Sequence, residues 1–497
     1  MDAATPIDWQ DRAARLSFRT QIFIDGRFVP AASGKTFECL SPRDGRVLTR
    51  VAAGDTEDVD RAVASARKAF ESGIWRDRHP RERKKVLLKL AELILENADE
   101  LALLETLDMG KPIRDSRSID VPLSARCAAY YGEAIDKLYD QVGPSGPDSM
   151  SLILREPLGV IAAVVPWNFP LMMAVWKLAP ALATGNSVVL KPAEQSPLSA
   201  LRLAELAIEA ELPPSVLNVV PGFGETAGRA LGLHMDVDMV TFTGSTEVRK
   251  YFLTYAGQSN MKRVSLECGG KTPHIVMADA ADLDLAAQNA AGGIFFNQGE
   301  VCNAGSRLLV QESIKDAFLE KVVAYARDWV PGDPLDWNSR TGAMVDQRQH
   351  GRVLGYIEKG KAEGAVLRTG GGAARTETGG FYIEPTVFDG VSSAMTIARE
   401  EIFGPVLSTL TFKDADEAIR IANDTIYGLA AAVWTKDLST AMRAAKAIRA
   451  GSVWINCFDA GDITTPFGGF KQSGFGRDKS LHALEKYTDL KSVWIEL

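Results

Sequence analysis

The sequence predicts an α/β protein built on mostly parallel sheets, and three observations predict it. Short apolar runs recur at 160–165, 187–190, 217–220, 239–242 and 264–266. The stretches between them carry helical periodicity, strongly at 198–210 and more weakly at 225–233. A second series of the same kind follows residue 270: helical 282–291, apolar 307–310, helical 313–329, apolar 406–412, helical 415–422 and apolar 453–456. Buried strands alternating with helices make βαβ units, and such sheets bind ligands beyond the carboxyl ends of their strands.

The remaining elements follow in chain order. Residues 21–30 read as a hairpin with Asp25-Gly26 as its turn. Residues 57–75 and 80–105 read as amphipathic helices, with Leu87, Leu90 and Ile94 on one face. The segments 150–155 and 491–497 alternate apolar and polar residues, as strands of a small extension that pairs with another subunit.

Composition excludes several classes of function. The chain has 497 residues, 46% apolar and 24% charged, with a net charge of −8. These values are ordinary for a globular protein and argue against a nucleic-acid or anionic-membrane partner. The five cysteines, Cys39, Cys127, Cys268, Cys302 and Cys457, contain no C-x-x-C pair, so neither a disulfide framework nor a metal site is expected. Residues 1–19 lack the apolar run of a signal peptide. The most apolar stretch, 158–190, is interrupted by Pro166, Asn168, Pro170, Lys177, Pro180 and Asn186, which excludes one spanning helix. A cytoplasmic location is expected.

Five constellations lie in the loops after the strands. In PWNFP at 166–170, flanking prolines stiffen a loop around Asn168, whose amide is a neutral donor suited to a developing oxyanion; a plain turn is the alternative. In KPAE at 191–194, Lys191 and Glu194 share a short turn and both suit ribose hydroxyls. The turns Gly222-Phe-Gly224 and Phe242-Thr-Gly244-Ser245 each precede a helix and offer backbone N–H groups to phosphates. Glu267 ends an apolar strand before two glycines, as a structural ion or a general base. Cys302 lies in a Gly- and Asn-rich polar loop, unlike the inert core cysteines that Cys39, Cys127 and Cys457 suggest. Cys268 should point to the face opposite Glu267, which favours packing.

At these residues the sequence resembles the NAD(P)-dependent aldehyde dehydrogenase superfamily. The motifs that carry the resemblance are PWNFP at 166–170, KPAE at 191–194, FTGS at 242–245, LECGGK at 266–271, NQGEVC at 297–302, EEIFGP at 400–405 and PFGGFKQSGFGRD at 466–478. Within the superfamily the chain is most similar to bacterial γ-glutamyl-γ-aminobutyraldehyde dehydrogenases of putrescine catabolism, through DWQDRA at 8–13, LLETLDMGKPI at 103–113, SNMKRV at 259–264 and the tail at 476–495. Cys268 and Arg249 depart from the usual family pattern.

The resemblance implies a Rossmann-like NAD-binding domain at 1–139 and 159–268, an α/β catalytic domain at 269–480 and a β oligomerisation extension at 140–158 and 481–497. It implies Cys302 as nucleophile, Asn168 and the Cys302 N–H as oxyanion donors, and Glu267 as the base that hydrolyses a thioester. A thiolate at Cys302 would be favoured by nearby positive charge or N–H dipoles. Trp167, Lys191, Glu194, Gly224, Gly244, Ser245, Glu401 and Phe403 are implied to bind NAD, with NADP weaker because the Glu194 carboxylate repels a 2′-phosphate. Asp108, Met172, Trp176, Phe458 and Asp459 are implied to line the substrate entrance, whose acidic, aromatic character suits an ω-amino or γ-glutamylamino aldehyde. The alternatives are a 4-guanidinobutyraldehyde, betaine aldehyde or broad-specificity enzyme, an esterase-like enzyme, a succinate-semialdehyde-type enzyme, and a silent binding protein on the same fold. A homodimer or homotetramer is expected.

Overall fold

The computed structural model describes residues 7–497; residues 1–6, expected to open the first domain, lie outside the described residues. Five parallel strands form the centre of the first sheet, in spatial order Leu217–Val219, Ser187–Lys191, Val160–Val164, Met239–Gly244 and Arg263–Cys268. Val, Leu and Ile dominate them because helices cover both faces. The chain begins in the middle at Val160–Val164, moves outward on one side, then returns to the other. At the reversal, between Val160–Val164 and Met239–Gly244, the loops beyond the two strands diverge and open a crevice. Those loops are the ones that carry Asn168 and Gly244-Ser245.

Both edges of this sheet are antiparallel. On one edge is the hairpin Ile22–Ile24 and Arg27–Val29, with Asp25 and Gly26 at φ of 54° and 74° as an Asp-Gly turn requires. On the other, Gly474–Phe475 pairs with Leu266 and Glu267. That short strand comes from the stretch expected to belong to the catalytic domain. The second sheet has seven strands in the order Val366–Thr369, Thr386–Asp389, Val406–Phe412, Arg307–Gln311, Pro273–Val276, Ala430–Trp434 and Ser452–Ile455. All its pairings are parallel except that of Val366–Thr369.

One feature differs from the sequence expectation. The helix expected over 80–105 is two helices, Pro80–Glu96 and Ala98–Met109. Asn97 separates them, its amide donating to the Leu93 carbonyl at 2.8 Å in competition with the backbone. Within the apolar 158–190 stretch the helix Pro170–Ala183 lies between the two expected strands, with Pro170 in its first turn, where a missing N–H costs nothing. The expected extension is a three-stranded sheet in which Ser149–Pro157 lies between Thr488–Glu496 and Gln141–Gly143. Among the described residues no helix is long and apolar enough to cross a membrane.

A buried polar cluster fixes the start of helix Pro170–Ala183. Lys111, fully buried, pairs with Glu105 at 3.2 Å and with Asp120. Its ammonium lies 3.8 Å from the centroid of the Phe169 ring, and Glu105 accepts from the Leu171 N–H at 3.3 Å. The residues on either side of Pro170 are thus held from below. Replacing Lys111 with Met would leave two buried carboxylates uncompensated, and the expected loss is about 3–5 kcal/mol. A lowered urea midpoint at unchanged slope checks it.

Candidate active site

A cavity of about 650 Å³ opens at the strand reversal, between the two sheets. Asn168, Glu267 and Cys302 all line it, together with Trp167, Gly244, Ser245, Glu401 and Phe403. Asn168, Glu267 and Cys302 each arrive from a different part of the chain, and only the fold brings them together.

Cys302 is presented by a strained loop. Asn297, Gln298 and Gly299 have φ of 48°, 57° and 72°, and a Cβ on Gly299 would fall 2.3 Å from the Gly404 carbonyl. Two successive non-glycine residues in the left-handed region persist only where neighbours over-determine them. Here side chains do so. Gln298 accepts from the Gly342 N–H at 3.0 Å and donates to the Ala343 carbonyl at 3.0 Å. Glu300 accepts from the Val345 N–H at 3.1 Å. Asn297 donates to the Asn168 carbonyl at 3.1 Å, and Asn168 donates to the Glu300 carbonyl at 2.9 Å. The Asn168 amide has two N–H groups, so one remains beyond the bond to Glu300.

The electrostatics of the thiol differ from expectation. Burial, then Glu401, Asp459 and Glu267, push the Cys302 thiol well up, with the Asn303 backbone N–H opposing them. The expected N–H dipole is present; the strongest charges on the sulfur are carboxylates rather than cations. Glu267 is buried, and neither of its oxygens has a hydrogen-bond partner. Burial and the neighbouring Asp478 hold its carboxyl well above the ordinary range, against the pull of Lys177, Lys486 and Arg477. Asp478 itself is bonded to Lys177 and, at 2.5 Å, to Lys486. Once ionised, an unpartnered carboxylate with a raised pKa is a stronger proton acceptor than an ordinary one, as suits a general base.

The expected cofactor residues fall into two groups. Trp167 and Phe403 meet edge to face at 5.2 Å, and Glu401 accepts from the Gly270 N–H at 3.2 Å. A Cβ on Gly269 would fall 1.9 Å from the Glu401 carboxylate, so a side chain there would displace that carboxylate from its present position. The turn bearing Glu401 and Phe403 is held by Gln349, which donates to the Phe403 carbonyl at 2.6 Å, and by Arg352, which donates to the Glu401 carbonyl at 3.0 Å. Sequence reasoning missed both, because they come from the helix Gln347–Ala362, which carries no motif. Ser245 caps helix Thr246–Gln258 by accepting from Val248 N–H at 3.2 Å. The Thr243 and Thr246 hydroxyls beside it are buried without partners. Lys191, Glu194 and Gly224 stand outside the cavity, Lys191 donating to Glu194 at 3.5 Å and passing its stem beside Gly228. A helix N-terminus, two orphaned hydroxyls and a Lys-Glu pair at successive strand ends form a donor and acceptor set that fits a dinucleotide.

Two expected substrate residues are corrected. Asp108 is fully buried, away from the cavity, and accepts from the Leu198 N–H at 3.1 Å. Phe458 does not line the cavity either; it stacks on His274 at 5.2 Å and against Trp454 at 5.1 Å. Met172, Trp176 and Asp459 do line it. The entrance also carries Arg126, Lys479 and Asp462, which sequence reading passed over. Two cations therefore face Asp459 and Asp462, and the entrance is charge-balanced rather than acidic. Cys268 packs in the core with Leu266 and Phe242, and Arg249 ties its helix to the Gln472 carbonyl.

The sequence matches the aldehyde dehydrogenase family over residues 28–493. It is 52% identical to the NADP/NAD-dependent aldehyde dehydrogenase PuuC of Escherichia coli, covering 98% of each chain. Among solved structures it resembles the indole-3-acetaldehyde dehydrogenase AldA of P. syringae, a mutant in complex with NAD+ and IAA, at 61% identity and a TM-score of 0.98, covering 99% of each chain. It also resembles the γ-glutamyl-γ-aminobutyraldehyde dehydrogenase of Burkholderia cenocepacia, at 59% identity and a TM-score of 0.97, again covering 99% of each chain.

Glu401 generates a pH prediction. Burial raises its pKa from 4.5 to about 7 in the folded chain. Between those values the folded state holds a proton that the unfolded state releases, so this group's contribution to stability is lost as pH rises through the window. Glu401→Gln should flatten that part of the profile, read as a smaller fall in urea midpoint between about pH 5 and about pH 7.5 than in the wild type.

Proposed function

The chain belongs to the aldehyde dehydrogenase family and is an oxidoreductase; from that premise we propose that it oxidises an aldehyde to the free acid with NAD, through a thiohemiacetal and a thioester on Cys302. The observation that carries this reading is the meeting of a cysteine, an unpartnered carboxyl and an amide donor in one cavity.

The thiol proton passes to Glu267, one of the carboxylates in the same cavity, and from it to solvent, so that the carboxylate is ionised again before the second half of the reaction. The sulfur adds to the carbonyl carbon, and the oxyanion is received by the second Asn168 N–H and the Cys302 N–H; one such donor elsewhere is worth about 3–4 kcal/mol of barrier. NAD+, when bound, supplies the hydride acceptor. Trp167, Gly244, Ser245, Glu401 and Phe403 would hold its nicotinamide half, and Lys191, Glu194 and Gly224 its adenosine half. Collapse of the tetrahedral adduct leaves an acyl group on the sulfur. Glu267 then takes a proton from water, whose oxygen attacks the thioester carbonyl and frees the acid and the thiolate. Transfer to coenzyme A would need no such base, so Glu267 favours hydrolysis.

Glu194 favours NAD over NADP by repelling a 2′-phosphate, and kcat/KM for the two cofactors tests this. An ω-amino or γ-glutamylamino aldehyde is the substrate class supported by the Burkholderia relative. A second reading, an arylacetaldehyde, draws on the aromatic lining of Phe169, Trp176 and Phe467 and on the indole-3-acetaldehyde enzyme. Relative kcat/KM across both classes decides between them. All five cysteines are free, which suits a reducing cytoplasm. The outer edge of Thr488–Glu496, with Leu490 and Trp494 each 60% exposed, suits assembly into a dimer or tetramer.

Two variants test the chemistry. Cys302→Ser should abolish NADH production at the steady state. Glu267→Gln should preserve a burst of NADH and then stall, with acyl-enzyme visible by mass spectrometry; loss of the burst without acyl-enzyme would remove Glu267 from the hydrolytic step.

A further inference from the structure

Resting on the aldehyde-oxidising reading of the cavity, we propose that Arg126 and Lys479 form a carboxylate-binding subsite at its mouth, which selects aldehydes whose far end carries a carboxylate. Arg126 projects from the helix Val121–Ala134, and Asp462 faces it from the loop beyond Ser452–Ile455. Both line the cavity, and they form an ion pair across its entrance. Their side chains are 58% and 33% exposed, so the pair is weak and opening it costs little. A guanidinium presents five N–H donors in a planar fork that matches the two oxygens of a carboxylate. Asp462 is an internal stand-in for that carboxylate.

Lys479 supplies the second cation. Its ammonium lies 5.7 Å from the centroid of the Trp176 ring, on the cavity wall. Asp459 is committed to the Asn303 amide at 2.7 Å, and Asp462 to Arg126 and the Thr464 N–H at 3.0 Å. Lys479 therefore faces Asp459 and Asp462 without a direct ion pair to either, among the described residues. An unpaired ammonium beside an openable guanidinium, at the mouth of an otherwise aromatic cavity, is built to receive an anion. The apolar walls would carry the chain that joins this anion to the carbonyl.

The test compares adipic semialdehyde and azelaic semialdehyde, each beside its methyl ester, which differs only in the charge. The readout is the acid-to-ester ratio of kcat/KM in NAD-linked assays. The wild type should favour at least one acid by roughly tenfold, the ratio conferred by one charge-assisted hydrogen bond of ordinary strength. Arg126→Ala and Lys479→Met should each collapse the ratio toward unity. Asp462→Asn should raise it, because the guanidinium loses its resident competitor while the Thr464 contact keeps an acceptor. A wild-type ratio of one for both pairs overturns the subsite. So does a parallel fall in Arg126→Ala and Asp462→Asn, which would make the pair a strap holding the mouth together. If acids, esters and simple alkanals all go unoxidised, the reading of the cavity fails and the subsite falls with it.

Discussion

The site depends on a stitch between two loops that belong to different sheets. Asn168, from the loop after Val160–Val164, donates to the Glu300 carbonyl, and Asn297, from the loop that presents Cys302, donates back to the Asn168 carbonyl. These amide bonds are buried, so breaking either would strand polar groups without water. They fix the oxyanion donor relative to the sulfur. They also support the left-handed backbone at Asn297 and Gln298, which the loop could not otherwise retain. The polar residues of the 297–302 motif thus serve mostly as scaffolding, and the cysteine is what they scaffold.

Charge in the cavity follows from its dryness. Carboxyl groups at Glu267 and Glu401 and the thiol at Cys302 are all pushed toward their protonated forms, chiefly by burial. The compensating lysines sit one layer away, Lys177 and Lys486 being engaged by Asp478. A cavity so arranged holds its acid-base groups neutral until a ligand or a proton acceptor changes the balance.

Much of the fold was legible because βαβ periodicity is a local signal. The five central strands of the first sheet lie where the apolar runs are, and the Asp25-Gly26 turn needs only two residues to be read. Asn168 and Glu267 stood out because they lie at or just beyond the carboxyl ends of parallel strands, and Cys302 because its loop is polar and Gly-rich. Cofactor roles came from family resemblance instead, since Lys191 and Glu194 look like any solvated pair. What stayed hidden depends on contacts distant in sequence. Asp108 was expected at the substrate entrance, yet the facing helix buries it and uses it as a backbone acceptor. Phe458 neighbours the entrance in sequence but turns inward onto His274. Arg126 belongs to no motif and Lys479 only to the tail at 476–495, and the closure of helix and loop around one opening is what brings them together.

The short strand Gly474–Phe475 has a mechanical consequence. It leaves the half of the molecule that carries Cys302 and hydrogen-bonds to the strand that carries Glu267. The strand of the base is therefore tied to the half that carries the nucleophile, and a clamshell motion between the two halves would have to break that pairing.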